Sequence, residues 1–164
     1  GTDRESAQKF YNEYFKKFSG LAEYLEGVKN ETFKKGYTET FFGRRRYFEG
    51  LNSPLSYIRA SAERMAINAP IQGTGADIVK LAMTKVDEYL RNENLLEDAR
   101  LLLQVHDELL FEIKGSVVEK IAPEIKKIME GVISPKETKG VACGVDVSVG
   151  DNWGELKKVV GGRE

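Results

Sequence analysis

Residues 101–113 read Leu-Leu-Leu-Gln-Val-His-Asp-Glu-Leu-Leu-Phe-Glu-Ile, and the rest of the chain is organised around them. Its two apolar halves alternate with a period of two, which is typical of strands, and the polar step between them predicts a hairpin turn. The pattern places these apolar residues on one face of each strand: Leu101, Leu103 and Val105, then Leu109, Phe111 and Ile113.

Two acidic residues, Asp107 and Glu108, stand at the bend of this apolar hairpin, directly after His106. Adjacent carboxylates are costly to bury unless a cation or hydrogen bonds compensate them, so a divalent metal ion is one explanation of their position. An ordinary solvated turn is the other. The pattern alone leaves these two explanations equal.

A chain of 164 residues that is 41% hydrophobic and 31% charged has the size and composition of one globular domain, and we expect a single domain over residues 1–164. The net charge of −1 argues against a uniformly basic nucleic-acid binder. The charge is uneven, however, because residues 29–64 carry eight Lys or Arg against four Asp or Glu. This local excess is consistent with one DNA-facing side.

Several classes of protein fit the sequence poorly. No run approaches the roughly 18 apolar residues of a membrane span, and the charged residues 3–5 do not resemble a signal peptide. Cys143 is the only cysteine and His106 the only histidine, which excludes an internal disulfide and the usual zinc hydrolase or multi-histidine phosphohydrolase sites. We expect a cytoplasmic protein without a membrane partner.

The chain before the hairpin is mostly helical in pattern. Thr2 and Glu5 have the spacing of a capping box, which predicts a helix start. An aromatic stripe follows at three- and four-residue spacing, and its expected role is core packing. The stripe comprises Phe10, Tyr11, Tyr14, Phe15 and Phe18. A second helix is expected to end before Gly36, and a small hairpin with residues 44–46, three arginines, at its tip follows.

Asn52 or Ser53 is expected to cap a helix that runs to about Asn68, where Pro70 breaks or kinks it before a further helix to Asn92. Arg64, Asn68 and Gln72 follow a spacing of four, which aligns them on one stripe if the helical phase survives the proline. Such side chains can reach minor-groove acceptors that all base pairs share. A polar solvent face is the alternative.

Gly73, Thr74 and Gly75 lack the lysine and the preceding strand of a phosphate-binding loop, so close helix packing is the better explanation of the glycines. After the hairpin we expect a helix over residues 117–129, despite Pro123, and a third strand over residues 141–150. Trp153 is expected to close the edge of the core. Helices packed on a small antiparallel sheet give an α+β fold class.

Three motifs carry a resemblance to a known family. The run from Gln104 to Glu108 between two apolar strands resembles the C-terminal palm motif of family A DNA polymerases, the bacterial DNA polymerase I type. Residues 64–77, Arg-Met-Ala-Ile-Asn-Ala-Pro-Ile-Gln-Gly-Thr-Gly-Ala-Asp, are similar to the segment that feeds that palm, and residues 43–47, Gly-Arg-Arg-Arg-Tyr, stand at the family's upstream distance. The resemblance runs from about Ala7 to Trp153 and implies a palm with adjoining fingers helices.

The resemblance implies template-directed nucleotidyl transfer with two Mg²⁺ ions. In that reaction Asp107 is a direct ligand that bridges towards both ions, Glu108 is a weaker or outer-shell carboxylate, and His106 steadies the primer terminus by a hydrogen bond. The residues implied to contact primer-template DNA are Arg64, Asn68, Gln72 and Arg46, together with His106.

The family's second aspartate motif and its nucleotide-binding helix do not occur in this sequence. We therefore interpret the chain as the C-terminal palm and fingers portion of a nucleoid-associated polymerase, inactive alone. Its expected partners are primer-template DNA, dNTP and the missing N-terminal portion in cis or in trans. The alternative is a non-catalytic DNA-binding or scaffold protein that keeps the palm fold, whose DNA binding would not respond to Mg²⁺.

Overall fold

The computed structural model describes residues 3–159. The chain divides into two compact units, Gly1–Thr74 and Gly75–Glu164. The first unit contains α1 (Arg4–Lys17), α2 (Ser19–Lys35), β1 (Tyr37–Glu39) and β2 (Arg45–Tyr47). A long helix, α3 (Ser56–Asn92), begins in the first unit and ends in the second. The second unit continues with β3 (Ala99–Val105), β4 (Glu108–Ile113), α4 (Val118–Glu130), β5 (Ser148–Val149), a 3₁₀ turn (Trp153–Glu155) and β6 (Lys157–Lys158).

Helices accompanied by small antiparallel sheets confirm the predicted α+β class. The expectation of one domain over residues 1–164 stays a prediction. No helix among residues 3–159 is long and apolar enough to cross a membrane.

Asp3 caps α1, where its carboxylate accepts hydrogen bonds from the Ser6 amide at 2.9 Å and the Ser6 hydroxyl at 2.8 Å. These hydrogen bonds lower the pKa of Asp3. The capping box predicted at Thr2 and Glu5 is therefore replaced by a cap one residue later, and Thr2 itself lies outside the described residues. The helix signal was correct because Asp is as effective as Thr at the capping position.

The aromatic stripe of α1 does not form a core in the described chain, so the prediction of core packing is wrong. No residue of α1 is buried, and Phe10 is 72% exposed. The rings contact one another instead, with centroids 4.7 Å apart for Tyr11 and Phe15 and 4.8 Å apart for Tyr14 and Phe18. The helical period specified an apolar face but not a partner for it.

The helix α2 ends as predicted at Gly36, whose φ of 76° is the left-handed conformation that glycine adopts readily. The hairpin of β1 and β2 follows, but its tip is not basic. Phe41 and Phe42 occupy the turn and Gly43 has a φ of 82°, whereas Arg45 and Arg46 lie on the return strand and Arg44 directly precedes it. Because Gly43 adopts the positive φ, the turn lies before the arginines in the chain.

The helix α3 is continuous through Pro70, which the sequence predicted to break or kink it. It begins at Ser56, so the predicted cap at Asn52 or Ser53 is wrong and Pro54 lies before the helix. Three small residues of its first half are buried: Ala62, Ala66 and Ala69.

The central hairpin of β3 and β4 forms with the predicted turn but not with the predicted faces. Leu101 pairs with Phe111, whereas Leu103 pairs with the neighbouring Leu110. One extra residue of β3 is therefore inserted as a β-bulge. Since directly opposite residues share a face, Leu103 and Val105 lie on the face opposite to Leu101. The prediction of a single apolar face on β3 is wrong for this reason.

The core of the second unit combines the end of α3, one face of the hairpin and α4. Its buried members are Val86, Leu90, Ala99, Ile121 and Ile125. Ile121 and Ile125 lie one helical turn apart, which places both on the core side of α4. The predicted helix over residues 117–129 is confirmed with Pro123 inside it.

The third strand predicted over residues 141–150 is wrong except at its end. Only β5 is a strand there, and it pairs with β6 instead of with the central hairpin. Val145, Val147 and Val149 are nevertheless half-buried in alternation. Trp153 is 53% exposed and does not close a core edge. The alternation of valines in this segment therefore predicted which side chains are half-buried, but it did not predict the strand pairing.

Ile121→Ala tests the core of the second unit. Ile121 is 0% exposed, so truncation should leave a cavity and lower the free energy of unfolding by about 2–5 kcal/mol. Urea titration followed by circular dichroism measures the change. Leu102→Ala, at a residue 51% exposed on β3, is the control and should change stability by less than about 0.5 kcal/mol. Equal effects of the two substitutions would contradict this packing.

Candidate functional site

A two-residue loop, His106 and Asp107, joins β3 to β4, and Val105 and Glu108 form the last pair of the ladder. The φ of His106 is 53°, a left-handed conformation that residues other than glycine seldom adopt. The Gln104 side-chain amide donates to the His106 carbonyl at 2.5 Å and holds this backbone. The hairpin therefore presents the three predicted catalytic residues consecutively at its end.

Asp107 and Glu108 are exposed, and no hydrogen bond or ion pair joins either carboxylate to another of residues 3–159. Both line a groove of ≈ 570 Å³ in the second unit, walled by β4, α4 and residues 144–150. Asp146 also lines this groove, but a 2.9 Å hydrogen bond from Lys158 lowers the pKa of Asp146 and pairs its charge. Asp107 and Glu108 thus keep carboxylate oxygens available for a cation.

Mg²⁺ prefers hard oxygen ligands and is usually held by one or two carboxylates together with water and substrate phosphates. Asp107 and Glu108 fit that donor set. No group of three or more His, Cys, Asp or Glu side chains within residues 3–159 could hold a metal ion.

A polar cavity of ≈ 90 Å³ lies where the hairpin of β1 and β2 meets α3 within the first unit. Thr38 pairs with Arg46, so these two side chains share one hairpin face. Asn68 and Gln72 are one turn apart on α3 and share one helix face. The polar and glycine residues that line the cavity are Thr38, Thr40, Arg44, Arg46, Asn68, Gln72 and Gly73.

Two of the three consecutive arginines already have strong partners. The Arg45 Nε lies 2.7 Å from the Glu39 carboxylate and its guanidinium carbon lies 4.6 Å from the Tyr37 ring centroid. The hydrogen bond to Glu39 raises the pKa of Arg45. Arg44 donates through Nη2 to the Gly73 carbonyl at 3.0 Å.

Arg46 differs from both neighbours. Its guanidinium contacts the Met65 sulfur at 3.8 Å and the Phe48 ring centroid at 5.3 Å, neither of which carries a compensating charge. No carboxylate pairs with Arg46 in the part of the chain that the structure describes, and the Asn68 and Gln72 amides make no side-chain hydrogen bond there. Three side chains with unused donors therefore line one cavity.

The predicted site residues fall into two groups, one in each unit. We use the name cavity residues for Arg46, Asn68 and Gln72. Arg64 is exposed on the same helix but does not line the cavity. His106, Asp107 and Glu108 form the second group at the tip of the central hairpin.

The sequence interpretation missed Thr38, Thr40 and Arg44 as cavity-lining residues. The alternation of small polar residues with large ones at positions 37–40 was an available signal, because alternate residues of a strand share a face. The prediction of close packing at the two glycines is confirmed at Gly73, where a Cβ would lie 2.7 Å from the Thr40 Cγ2 atom, and is wrong at Gly75, where a Cβ would meet nothing within 4 Å. The packing partner of Gly73 is the hairpin, which spacing along the chain could not identify.

The sequence profile described as DNA polymerase family A matches residues 1–155. The chain belongs to DNA polymerase family A. DNA polymerase I of Pseudomonas aeruginosa is 41% identical over 155 residues, which are 94% of this chain and 16% of that protein. The thermostable DNA polymerase I of Thermus aquaticus is 42% identical over 154 residues, 94% of this chain and 18% of that protein.

A solved structure of this family also matches. The POL domain of Pol1 from M. smegmatis, in complex with DNA primer-template and dNTP, superposes with a TM-score of 0.76 and 41% identity. The match covers 80% of this chain and 23% of that chain. The chain thus spans less than a fifth of the two curated relatives, 16% and 18% of their length.

His106→Gly and His106→Val test the strained turn. Valine tolerates a positive φ poorly because of its branched Cβ, and we expect His106→Val to lower the free energy of unfolding by about 1–2 kcal/mol. Glycine removes the strain but adds freedom to the unfolded chain, so His106→Gly should change stability by less than about 1 kcal/mol. Denaturant titration compares the two, and a valine variant as stable as the glycine variant would contradict the turn geometry.

Proposed function

We propose that this chain is the C-terminal palm and fingers portion of a DNA-directed DNA polymerase that carries out nucleotidyl transfer together with the N-terminal polymerase portion, in cis or in trans. One observation carries the proposal: Asp107 and Glu108 stand exposed and without an ion-pair partner among residues 3–159 at the end of a hairpin. Family membership supplies the reaction class.

Asp107 and Glu108 would hold Mg²⁺, with Asp107 as the direct ligand and Glu108 as the weaker or outer-shell one. When bound, Mg²⁺ neutralises charge on phosphate oxygens and makes a hydroxyl group easier to deprotonate. The short hairpin restrains Asp107, since the Gln104 amide fixes the preceding carbonyl. His106 is next to this ligand and is proposed to hydrogen-bond the primer terminus.

The cavity residues and Arg64 would bind the primer-template duplex. Asn68 and Gln72 have both a donor and an acceptor and suit the minor-groove atoms that all base pairs present, which gives binding without sequence preference. Arg46 suits a backbone phosphate because its guanidinium has no counter-charge among the described residues. Binding of this kind positions DNA for a template-directed reaction, with dNTP as the second substrate.

Primer extension tests the need for the missing portion. The isolated chain should show no extension with Mg²⁺, because no cluster of three metal ligands occurs among residues 3–159 and two carboxylates cannot organise two ions alone. Extension should appear when the upstream polymerase portion is added. In the completed enzyme, Asp107→Asn should lower the extension rate by at least about 100-fold.

Glu112→Gln is the matched control, since Glu112 is an exposed carboxylate on the same strand, β4. It should leave the extension rate within about twofold of the unchanged enzyme. Extension by the isolated chain at a rate that Asp107→Asn abolishes would refute the need for a second portion. Equal rates for the Asp107 and Glu112 variants would refute the metal-ligand role.

Salt-dependent binding tests the DNA contacts. Arg46→Ala in this chain should weaken binding to a labelled primer-template and reduce the slope of log affinity against log salt by about 1, because one phosphate contact is lost. Gln72→Ala should weaken binding without changing the slope, since an amide releases no counterion. Fluorescence anisotropy at several salt concentrations measures both. Arg45→Ala is the control, because Arg45 is paired with Glu39.

A non-catalytic DNA-binding or scaffold protein is the second candidate. It is favoured by the lack of a three-ligand metal cluster among residues 3–159. The two candidates differ in the same experiments: a scaffold binds primer-template equally with and without Mg²⁺ and never extends a primer when the upstream portion is present. If primer-template binding depends on Mg²⁺ and Asp107→Asn removes that dependence, the scaffold function is excluded.

A further inference from the structure

The hairpin of β1 and β2 contacts α3 at a glycine. A Cβ on Gly73 would lie 2.7 Å from the Thr40 Cγ2 atom and 3.3 Å from the Arg44 Nη2 atom. The distance to Thr40 is shorter than real Cβ contacts allow. Thr40 is buried and has a short branched side chain, so it has little room to withdraw. The hairpin reaches this place on the helix because residue 73 has no side chain.

Two hydrogen bonds reinforce the contact. Arg44 Nη2 donates to the Gly73 carbonyl at 3.0 Å, and the Phe41 amide donates to the Thr74 hydroxyl oxygen at 2.9 Å. The Thr74 hydroxyl in turn donates to the Pro70 carbonyl at 2.6 Å, which directs its lone pairs towards Phe41. We use the name latch for Phe41, Arg44, Gly73 and Thr74.

The latch adjoins the cavity residues on both sides of the contact. Arg46 is two residues after Arg44 and lines the same cavity, and Gln72 directly precedes Gly73 on the helix. Glycine is also unfavourable in a helix interior. Its presence at position 73 therefore has a local cost, for which the approach of the hairpin is the compensation.

We propose that Gly73 and Thr74 are positioning residues, which hold the hairpin on α3 so that Arg46 acts together with Asn68 and Gln72 on one nucleic-acid backbone. This inference rests on the proposed function, in which the cavity residues bind primer-template DNA. Gly73 and Thr74 themselves contact the hairpin and need not contact DNA.

Gly73→Ala tests the proposal, and Gly75→Ala on the same helix is its control, because a Cβ at Gly75 meets nothing within 4 Å. In anisotropy titrations of this chain, Gly73→Ala should weaken primer-template binding about fivefold and reduce the salt slope by about 1, as Arg46→Ala does. Gly75→Ala should do neither. Circular dichroism checks that both variants keep their helix content.

The double variant Gly73→Ala with Arg46→Ala separates positioning from general destabilisation. If Gly73 acts through Arg46, the double variant should bind no more than about twofold worse than Arg46→Ala alone. If the two effects were independent, the double variant would bind about 25-fold more weakly than the unchanged chain, and this result would overturn the proposal. Thr74→Val should weaken binding in the same way, and Thr74→Ser, which keeps the hydroxyl, should restore it.

A readout without DNA distinguishes failure of this inference from failure of the proposed function. In NMR spectra, Gly73→Ala should shift the Arg46 side-chain NεH resonance and the Asn68 and Gln72 side-chain amides, whereas Gly75→Ala should not. These shifts in a chain that binds no primer-template would refute the DNA-binding role and support the positioning role. Unchanged resonances in Gly73→Ala would refute the positioning role whatever the DNA result.

Discussion

The helix α3 continues past Pro70, and its buried residues and its polar face both depend on that continuity. Proline has no amide hydrogen to donate to the carbonyl of Ala66, so one backbone hydrogen bond of the helix is missing. The helix nevertheless runs from Ser56 to Asn92. It supplies buried residues to each unit: Ala62, Ala66 and Ala69 to the first, Val86 and Leu90 to the second.

Helical phase also determines the polar face of α3. Asn68 lies before Pro70 and Gln72 after it, and both line the same cavity because the turn between them is helical. The same turn brings Gly73 and Thr74 to the hairpin, where Thr74 accepts the hydrogen bond from Phe41. The helical conformation of residues 68–74 therefore positions both the polar residues of the cavity and the residues that contact the hairpin.

Three charged side chains with proposed roles have no ion-pair partner among residues 3–159. Arg45 and Asp146 have ion-pair partners, whereas Arg46, Asp107 and Glu108 have none among residues 3–159. Exposed ion pairs contribute little to stability, so pairing Arg46 or Asp107 internally would gain little for the fold. Leaving them unpaired keeps them available for phosphate and cation.

Features that depend on residues close together in the chain could be predicted from the sequence: the turn at His106 and Asp107, the end of α2 at Gly36, the helix α4 and the family motifs. Tertiary structure decided the rest. Three features depend on contacts that sequence periodicity does not report: the bulge after Leu101, the exposure of the α1 rings and the pairing of β5 with β6. A hydrophobic period of two or 3.6 residues indicates a strand or a helix but does not identify its packing partner. Only the approach of the hairpin to Gly73 placed Arg46 beside Asn68 and Gln72, because a side chain's neighbours across elements are set by packing and not by spacing.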